Sequence, residues 1–437
     1  MIGNALCLKL LEVVGPALLY SETWTGDGQL YIWRKCMVST ESRKLSLMIA
    51  VILLTCFLAE TVSAIPLFAR KYKLSCTMCH VGFPQLNSFG QNFAGNGYQM
   101  PEEDPKDYVE EIEEDKLLLH EYFPFAIRVD SFYRLRNDGE VTFDQEAPFS
   151  AKILTSGILR KDISYYFYFF FDERGGVTGI EDAFMVFNNI YKDKNIDIRV
   201  GQYQITDSMF PREQRLTFQD FNYYTTQVSD SGFDLVYDRA SEISYSVNVT
   251  DDFGVGILTG IANGNGITTA NANRNFDTDD YKNFYGRLNF SYGNQGIGIY
   301  GYLGKEVNTS NVENKFFRIG PDFNFMLFDD WNLWGSYLYG EDDNATFQSG
   351  KNTVISWGGF TGVTHKLNDD WILSLLHNYV NVDRKPSLNV NTATVNLSYY
   401  LMRNLKFVFE VTGDIQTVSL NHTEKTHTGE FGFVFAY

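Results

Sequence analysis

A chain of 437 residues with a net charge of −18 is a poor partner for nucleic acid or anionic lipid surfaces, which its charge repels. Its length admits two or three soluble domains or one large barrel. Aromatic residues make up 16% of it, with 27 Tyr and 36 Phe. That share is high for a soluble acidic protein and ordinary for a barrel with interfacial aromatic girdles.

The first predicted element is a leader. Arg43 and Lys44 precede the apolar stretch Leu45 to Ala59, and Val62-Ser63-Ala64 has the small residues of a cleavage site. These features predict a signal peptide over 37–64 and a mature chain starting at Ile65. The apolar stretch is short for a transmembrane helix, and a retained anchor is the alternative. Residues 1–36 lie upstream of Met37, where such a signal would begin, and read as a start codon taken too early. Cleavage at Ala64 removes Cys7, Cys36 and Cys56 and leaves Cys76 and Cys79.

Both remaining cysteines fall in Cys76-Thr77-Met78-Cys79-His80. Two thiols three positions apart sit on one helical turn and can add to the two vinyl groups of one haem. The adjacent His80 then presents its imidazole to the iron. A dithiol redox motif would want a βαβ setting, and a zinc site would want further Cys or His nearby; the sequence offers neither. Residues 65–100 are therefore expected to form a small helical unit carrying one covalent haem c. Phe68, Phe83, Phe89 and Phe93 are its candidate haem covers, with Gly95 and Gly97 ending a helix. A unit this small cannot bury much core, so haem or a surrounding wall must stabilise it. Met100 is the first candidate for the sixth iron ligand, His120 the second and an open position the third; Met78, inside the attachment loop, is poorly placed.

Residues 101–118 form an acidic connector, read as a solvated linker or as a docking patch for a basic electron carrier. From 119 to 437 the pattern is period two. Ile127, Val129, Tyr133 and Leu135 alternate with Arg128, Asp130, Arg134 and Arg136, and Phe407, Phe409 and Val411 alternate with Lys406, Glu410 and Thr412. In the middle, Phe317, Ile319, Phe323, Phe325 and Leu327 oppose Arg318, Asp322 and Asn324. Tight turns are predicted at 160–162, 191–195, 251–254, 293–296, 328–332, 367–370 and 402–404. Longer loops are predicted at 138–147, 173–179, 206–231, 263–281, 305–314, 341–354, 383–390 and 416–427. Seven turns and eight loops make fifteen connections, hence an antiparallel transmembrane β-barrel of about 16 strands in a bacterial outer membrane. The last strand places Phe431, Phe433, Phe435 and Tyr437 on one face, like the C-terminal insertion signal of such barrels.

Ile65-Pro66-Leu67-Phe68-Ala69-Arg70, Cys76 to His80, Phe83 to Gly90 and Gly97-Tyr98 together resemble the haem segment of outer-membrane monohaem porin–cytochrome fusions, whose best-studied members oxidise iron. Only Val81 and Gly82 separate His80 from Phe83, a shorter gap than in those members. Ile198-Arg199-Val200-Gly201-Gln202-Tyr203, with Arg212-Glu213 and Arg215-Leu216, is similar to phosphate-selective porins. The resemblance implies a cytochrome lodged in or under a barrel and carries over Cys76, Cys79 and His80 as haem-binding residues. It implies electron transfer between an extracellular donor, ferrous iron being one candidate, and a periplasmic soluble carrier.

The competing expectation is a diffusion porin for small anionic solutes with a haem-bearing plug. Lumen arginines Arg128, Arg134, Arg136 and Arg199 would suit it, although lumen charges also occur as balanced ladders. A peroxidase-like enzyme would need distal acid–base groups. His120, His365, His377, His422 and His427 show no clustering that would supply them. If electrons cross the membrane through one haem, that haem must lie within the barrel or near its outer mouth, and residues 65–116 are the expected plug.

Overall fold

Alternating apolar and polar side chains suit a pleated strand with one face in lipid and the other in a lumen. The computed structural model describes residues 67–100 and 124–437, apart from 192–193, 278, 280, 329, 349, 351 and 416–424. The leader, the acidic connector, His120 and His422 lie outside the described residues.

The chain first forms α1 (Leu67–Tyr72), α2 (Cys76–Cys79), a small hairpin of β1 (His80–Gly82) and β2 (Gln85–Leu86), and α3 (Ser88–Gly95). The barrel begins with β3 (Phe125–Asn137), β4 (Val141–Arg160), β5 (Ile163–Glu173), β6 (Gly179–Phe187) and β7 (Ile196–Gln204). It continues through β8 (Tyr237–Asn248), β9 (Phe253–Ala262), β10 (Asn283–Tyr292), β11 (Gln295–Val307) and β12 (Glu313–Leu327). β13 (Trp331–Asp342), β14 (Val354–Lys366), β15 (Trp371–Val382), β16 (Val390–Met402), β17 (Leu405–Asp414) and β18 (His427–Ala436) complete it. Each of the sixteen strands pairs antiparallel with the next, and β18 pairs with β3 to close the ring. The Ile127 and Tyr437 backbones exchange two hydrogen bonds of 2.8 Å at the seam. Closure removes both sheet edges, so every ladder group is satisfied within the wall.

The predicted faces are the observed ones. Leu135, Ile319, Phe409, Val411, Phe431 and Phe433 are exposed on the outside, whereas Arg318, Asp322, Lys406, Glu410 and Glu430 are buried on the inside. Short turns at 161–162, 188–195, 249–252, 293–294, 328–330, 367–370 and 403–404 share one end, the periplasmic one. One predicted loop is different. The segment 138–147 is mostly strand, because Arg134 pairs with Asp144 and Tyr133 stacks on Phe143 at 6.0 Å, extending the β3–β4 hairpin.

The larger departure lies in the lumen. The connection from β7 to β8, residues 205–236, turns inward and narrows it. Ile205, Met209, Phe221, Tyr224, Val228, Phe233 and Leu235 of this loop are buried against Tyr300, Tyr302, Phe316, Trp334 and Phe360 of the wall. Phe221 stacks on Phe360 with ring centroids 4.0 Å apart. The long loop predicted at 206–231 therefore enters the lumen, which the N-terminal unit does not occupy alone. The wall carries aromatic side chains inward on β11 to β14, and this loop is what covers them.

Candidate functional site

Ser75 caps α2, its hydroxyl accepting the Thr77 N–H at 3.4 Å, so Cys76 and Cys79 lie one turn apart as two free thiols. Burial raises the pKa of both thiols. His80 follows in extended conformation, and its Nδ1 lies 3.1 Å from the Pro84 carbonyl oxygen. That bond fixes Nδ1 as the protonated nitrogen and leaves the Nε2 lone pair for a ligand. Burial pushes the imidazole pKa down to about 4, so His80 is neutral near pH 7, as iron ligation requires. Asn87 ties the motif to α3: its Oδ1 accepts the Gly90 N–H at 2.9 Å and its Nδ2 donates to the Met78 carbonyl at 2.9 Å. α3 packs so closely on this turn that a Cβ at Gly90 would lie 2.1 Å from the Cys79 carbonyl oxygen.

Residues 67–100 are seated in the barrel's periplasmic mouth. The Tyr400 hydroxyl donates to the Phe83 carbonyl at 2.9 Å, Thr364 donates to the Gln85 side-chain oxygen at 3.2 Å, and Ser88 donates to Asn294 at 3.2 Å. Tyr98 stacks on Tyr166 at 5.1 Å, and the Arg70 guanidinium lies over the Tyr437 ring at 4.8 Å. These contacts reach strand ends and turns around the circumference. Of the expected plug, residues 65–116, the described part 67–100 is thus seated at the periplasmic end and not at the outer mouth.

The aromatic covers divide. Phe68 meets Phe93 at 5.2 Å and Tyr98 at 5.0 Å, and Phe89 stacks on Phe93 at 6.5 Å, so these rings form the segment's own small core. Phe83 turns the other way, 5.6 Å from the His80 ring, and packs toward the clusters of Leu216, Ile372 and Tyr400 and of Phe132, Val408 and Val434. Beside α2 and β1 lies a narrow cleft of about 20 Å³, room for about one water, lined by Cys76, His80, Phe83, Asp369, Tyr400 and Arg403 among others. Two thiols and a neutral, oriented imidazole beside such a cleft have the chemistry that thioether attachment and axial ligation of a haem need. Met100 lies beyond α3 and does not line the cleft. The described histidines His365, His377 and His427 are on barrel strands and do not line it either; His365 stacks on Trp331 and His377 bonds Asn391.

Sequence reasoning missed the inward loop's polar clamp. Glu213 accepts from Lys152 Nζ at 2.7 Å, Tyr168 OH at 3.2 Å and Arg128 at 3.4 Å. Glu410 accepts the backbone N–H groups of Phe218 and Gln219 at 2.6 and 2.7 Å, and Asp220 pairs with Arg212. The loop thus spans the lumen from β7 and β8 to β3, β4 and β17. A signal was present: the lumen-side positions Tyr300, Tyr302, Trp334 and Phe360 are aromatic where a water-filled barrel would have polar residues. The four arginines expected to favour anions are each paired with carboxylates. Arg128 meets Asp130 at 2.8 Å, Arg134 meets Glu146 at 2.8 Å, Arg136 meets Asp138 at 3.0 Å and Arg199 meets Glu242 at 2.8 Å.

Solved structures that share this fold include a porin and an outer membrane channel. The chain is similar to an anion-selective porin from Comamonas acidovorans, with 13% identity, a TM-score of 0.50 and coverage of 72% of this chain and 98% of that one. It is also similar to the outer membrane channel DcaP of Acinetobacter baumannii, with 10% identity, a TM-score of 0.52 and coverage of 72% and 96%. No family model matches the sequence, and no curated protein matches it. At these identities the likeness concerns the fold. The closed wall, its apolar exterior and its short periplasmic turns define a porin-like β-barrel of the bacterial outer membrane.

Proposed function

We propose that this chain is a porin-type diffusion barrel whose passage is governed at its periplasmic mouth by a plug, residues 67–100, carrying one haem c. The observation that carries this reading is the seat of the plug, hydrogen-bonded through Phe83, Gln85 and Ser88 to wall and turn residues. Cys76 and Cys79 would hold the haem as thioethers, each S–H adding across a vinyl group with no oxidant consumed, and His80 would supply a nitrogen ligand to its iron. The solutes are small. The paired state of Arg128, Arg134, Arg136 and Arg199 leaves anion preference to other lumen groups.

Electron transfer is the second reading, and the Cys76–His80 motif favours it, since a lone haem c supplies one-electron chemistry. The apolar band of such a barrel is about 25 Å tall, and tunnelling falls steeply with distance. A haem at the periplasmic mouth is therefore reached by a donor that itself enters the barrel, such as a hydrated ferrous ion, and not by one confined outside. It would pass its electron to a soluble periplasmic carrier. Planar-bilayer conductance of the wild type and of a variant lacking 65–116, with haem reduction followed in intact cells, tests both. The plugged porin predicts higher conductance after deletion; equal conductance defeats it. A small external reductant should reduce the haem and a bulky, impermeant one should not. Reduction by neither removes the electron-transfer reading from outside.

A further inference from the structure

Lys406, the second residue of β17, turns into the lumen and is 3% exposed. Its neighbours across the ladder are Tyr400 on β16 and Val434 on β18. The plug covers both of them through Phe83, and the Arg128 guanidinium lies over the Phe83 ring at 5.7 Å. The inward loop closes the same corner, with Leu216 in the cluster of Tyr400. The charges around Lys406 are Arg128, Arg215, Asp130 and Glu410. Both carboxylates are already engaged. Asp130 accepts from Arg128 at 2.8 Å and from Ser150 at 3.0 Å. Glu410 accepts the Phe218 and Gln219 N–H groups at 2.6 and 2.7 Å and the Asn396 amide at 2.9 Å. Among the described residues Lys406 has neither an ion pair nor a hydrogen-bond acceptor. The Arg215 Nε is buried without an acceptor as well, and its guanidinium comes no nearer to Asp220 than 3.8 Å. Three cations thus face two carboxylates, and an ammonium with three N–H donors is the one left without a partner.

We propose that the corner between Phe83 of the plug, Arg215 of the loop and Lys406 of the wall is a binding site for one small monovalent anion of chloride size. A buried ammonium is costly unless it is both hydrogen-bonded and paired with opposite charge. Water satisfies its N–H groups and leaves the charge; an anion does both, and Arg128 and Arg215 strengthen the field that attracts it. Phe83, Leu216, Tyr400 and Val434 pack the corner closely, which favours a monatomic ion over a bulky oxyanion or an organic acid. Lys406 belongs to the wall and Arg215 to the loop, so an anion held between them fastens the loop in its inward position. It is a resident ion, distinct from the solutes that cross the barrel. The site does not depend on haem at Cys76 and Cys79.

The test uses the full-length protein, digested with trypsin in increasing sodium chloride. Sodium gluconate, whose anion is too large for the corner, keeps the ionic strength constant, so that binding is separated from screening. Cleavage at Arg212 and Arg215 follows the open population of the loop. A ligand bound only to the seated loop lowers that population in proportion to its concentration once above its dissociation constant, so each tenfold rise in chloride should slow cleavage about tenfold. Lys406→Met keeps the length of the side chain and drops the charge, and it should lose this dependence. Lys161→Gln, at an exposed position in the 161–162 turn, should keep it. Wild-type crystals grown in sodium bromide supply a measurement that needs no variant to fold: an anomalous bromide peak is expected within hydrogen-bonding distance of Lys406 Nζ. A wild-type cleavage rate indifferent to chloride, a Lys406→Met variant that responds as the wild type does, or bromide absent from Lys406 overturns the site. Failure of the plugged-porin reading shows instead as equal conductance with and without residues 65–116, which none of these measurements reads.

Discussion

Replacing Glu213 by Gln asks whether charge clamps the inward loop. Its Oε2 accepts from Lys152 at 2.7 Å, Tyr168 at 3.2 Å and Arg128 at 3.4 Å, and the side chains of Lys152 and Arg128 are 6% and 17% exposed. Burial pushes the Glu213 carboxyl pKa up, but Lys152 and Arg128 outweigh it and hold the group well below the usual carboxylate range. Gln keeps the shape and drops the charge. A hydrogen bond to a charged group contributes about 1.5–3 kcal/mol, and stranding a buried cation costs more. Asp130 remains 2.8 Å from Arg128 and 3.9 Å from Lys152, which limits the loss. We therefore take about 2 kcal/mol, or about a 30-fold rise in the loop's open-to-seated ratio, since 1.4 kcal/mol is tenfold. Limited trypsin digestion of the folded barrel reads this ratio at Arg212 and Arg215, because cleavage follows the open population when reclosing is fast. Equal cleavage rates for Glu213→Gln and wild type, with the barrels equally stable, would refute the clamp.

Further outcomes follow from the mouth and the loop. The double variant Cys76→Ser, Cys79→Ser should show no haem staining while the barrel still inserts, because its ladder closes without residues 67–100. Gly90→Ala pushes a methyl group to within 2.1 Å of the Cys79 carbonyl oxygen and should cost the segment about 1–3 kcal/mol; fewer haems per barrel, measured by pyridine haemochrome, is the readout. The Asp220 carboxyl is raised by burial, yet Arg215 and Arg212 bring it down to about 2. Its folded pKa lies below its unfolded one, so its stabilisation is full above the ordinary carboxylate range and is lost as pH falls through about 2. Asp220→Asn should accordingly alter conductance from neutral pH to about 4 and match the wild type only well below it, where the wild-type carboxyl is protonated too. Met100→Ala should abolish a sulfur-to-iron charge-transfer band if Met100 is the sixth ligand, and an unchanged spectrum excludes it.

Much of the fold is readable from local pattern. Strand identity, face and number depend on the alternation of residues such as Phe407, Phe409 and Val411 with Lys406, Glu410 and Thr412, and on short turns such as 367–370 and 403–404. Both are nearest-neighbour properties, since lipid selects one face of each strand independently. The attachment motif is legible for the same reason: Cys76, Cys79 and His80 need only one helical turn to be brought together.

Three features needed the tertiary structure. Residues 206–231 read as a long loop, and only packing against Tyr300, Trp334 and Phe360, distant along the chain, turns them inward. Phe83 looked like one of four equivalent haem covers, yet the wall at Ile372 and Tyr400 draws it apart from Phe68, Phe89 and Phe93. The seat of the plug depends on Thr364, Asn294 and Tyr400, which come from different turns and strands. Sequence by itself determined what is set by neighbours along the chain, the sixteen lipid-facing strands and the Cys76–His80 turn. Closing the ring decided the rest, because it brings distant strand ends around a common lumen and creates the surfaces on which the loop and the plug are held.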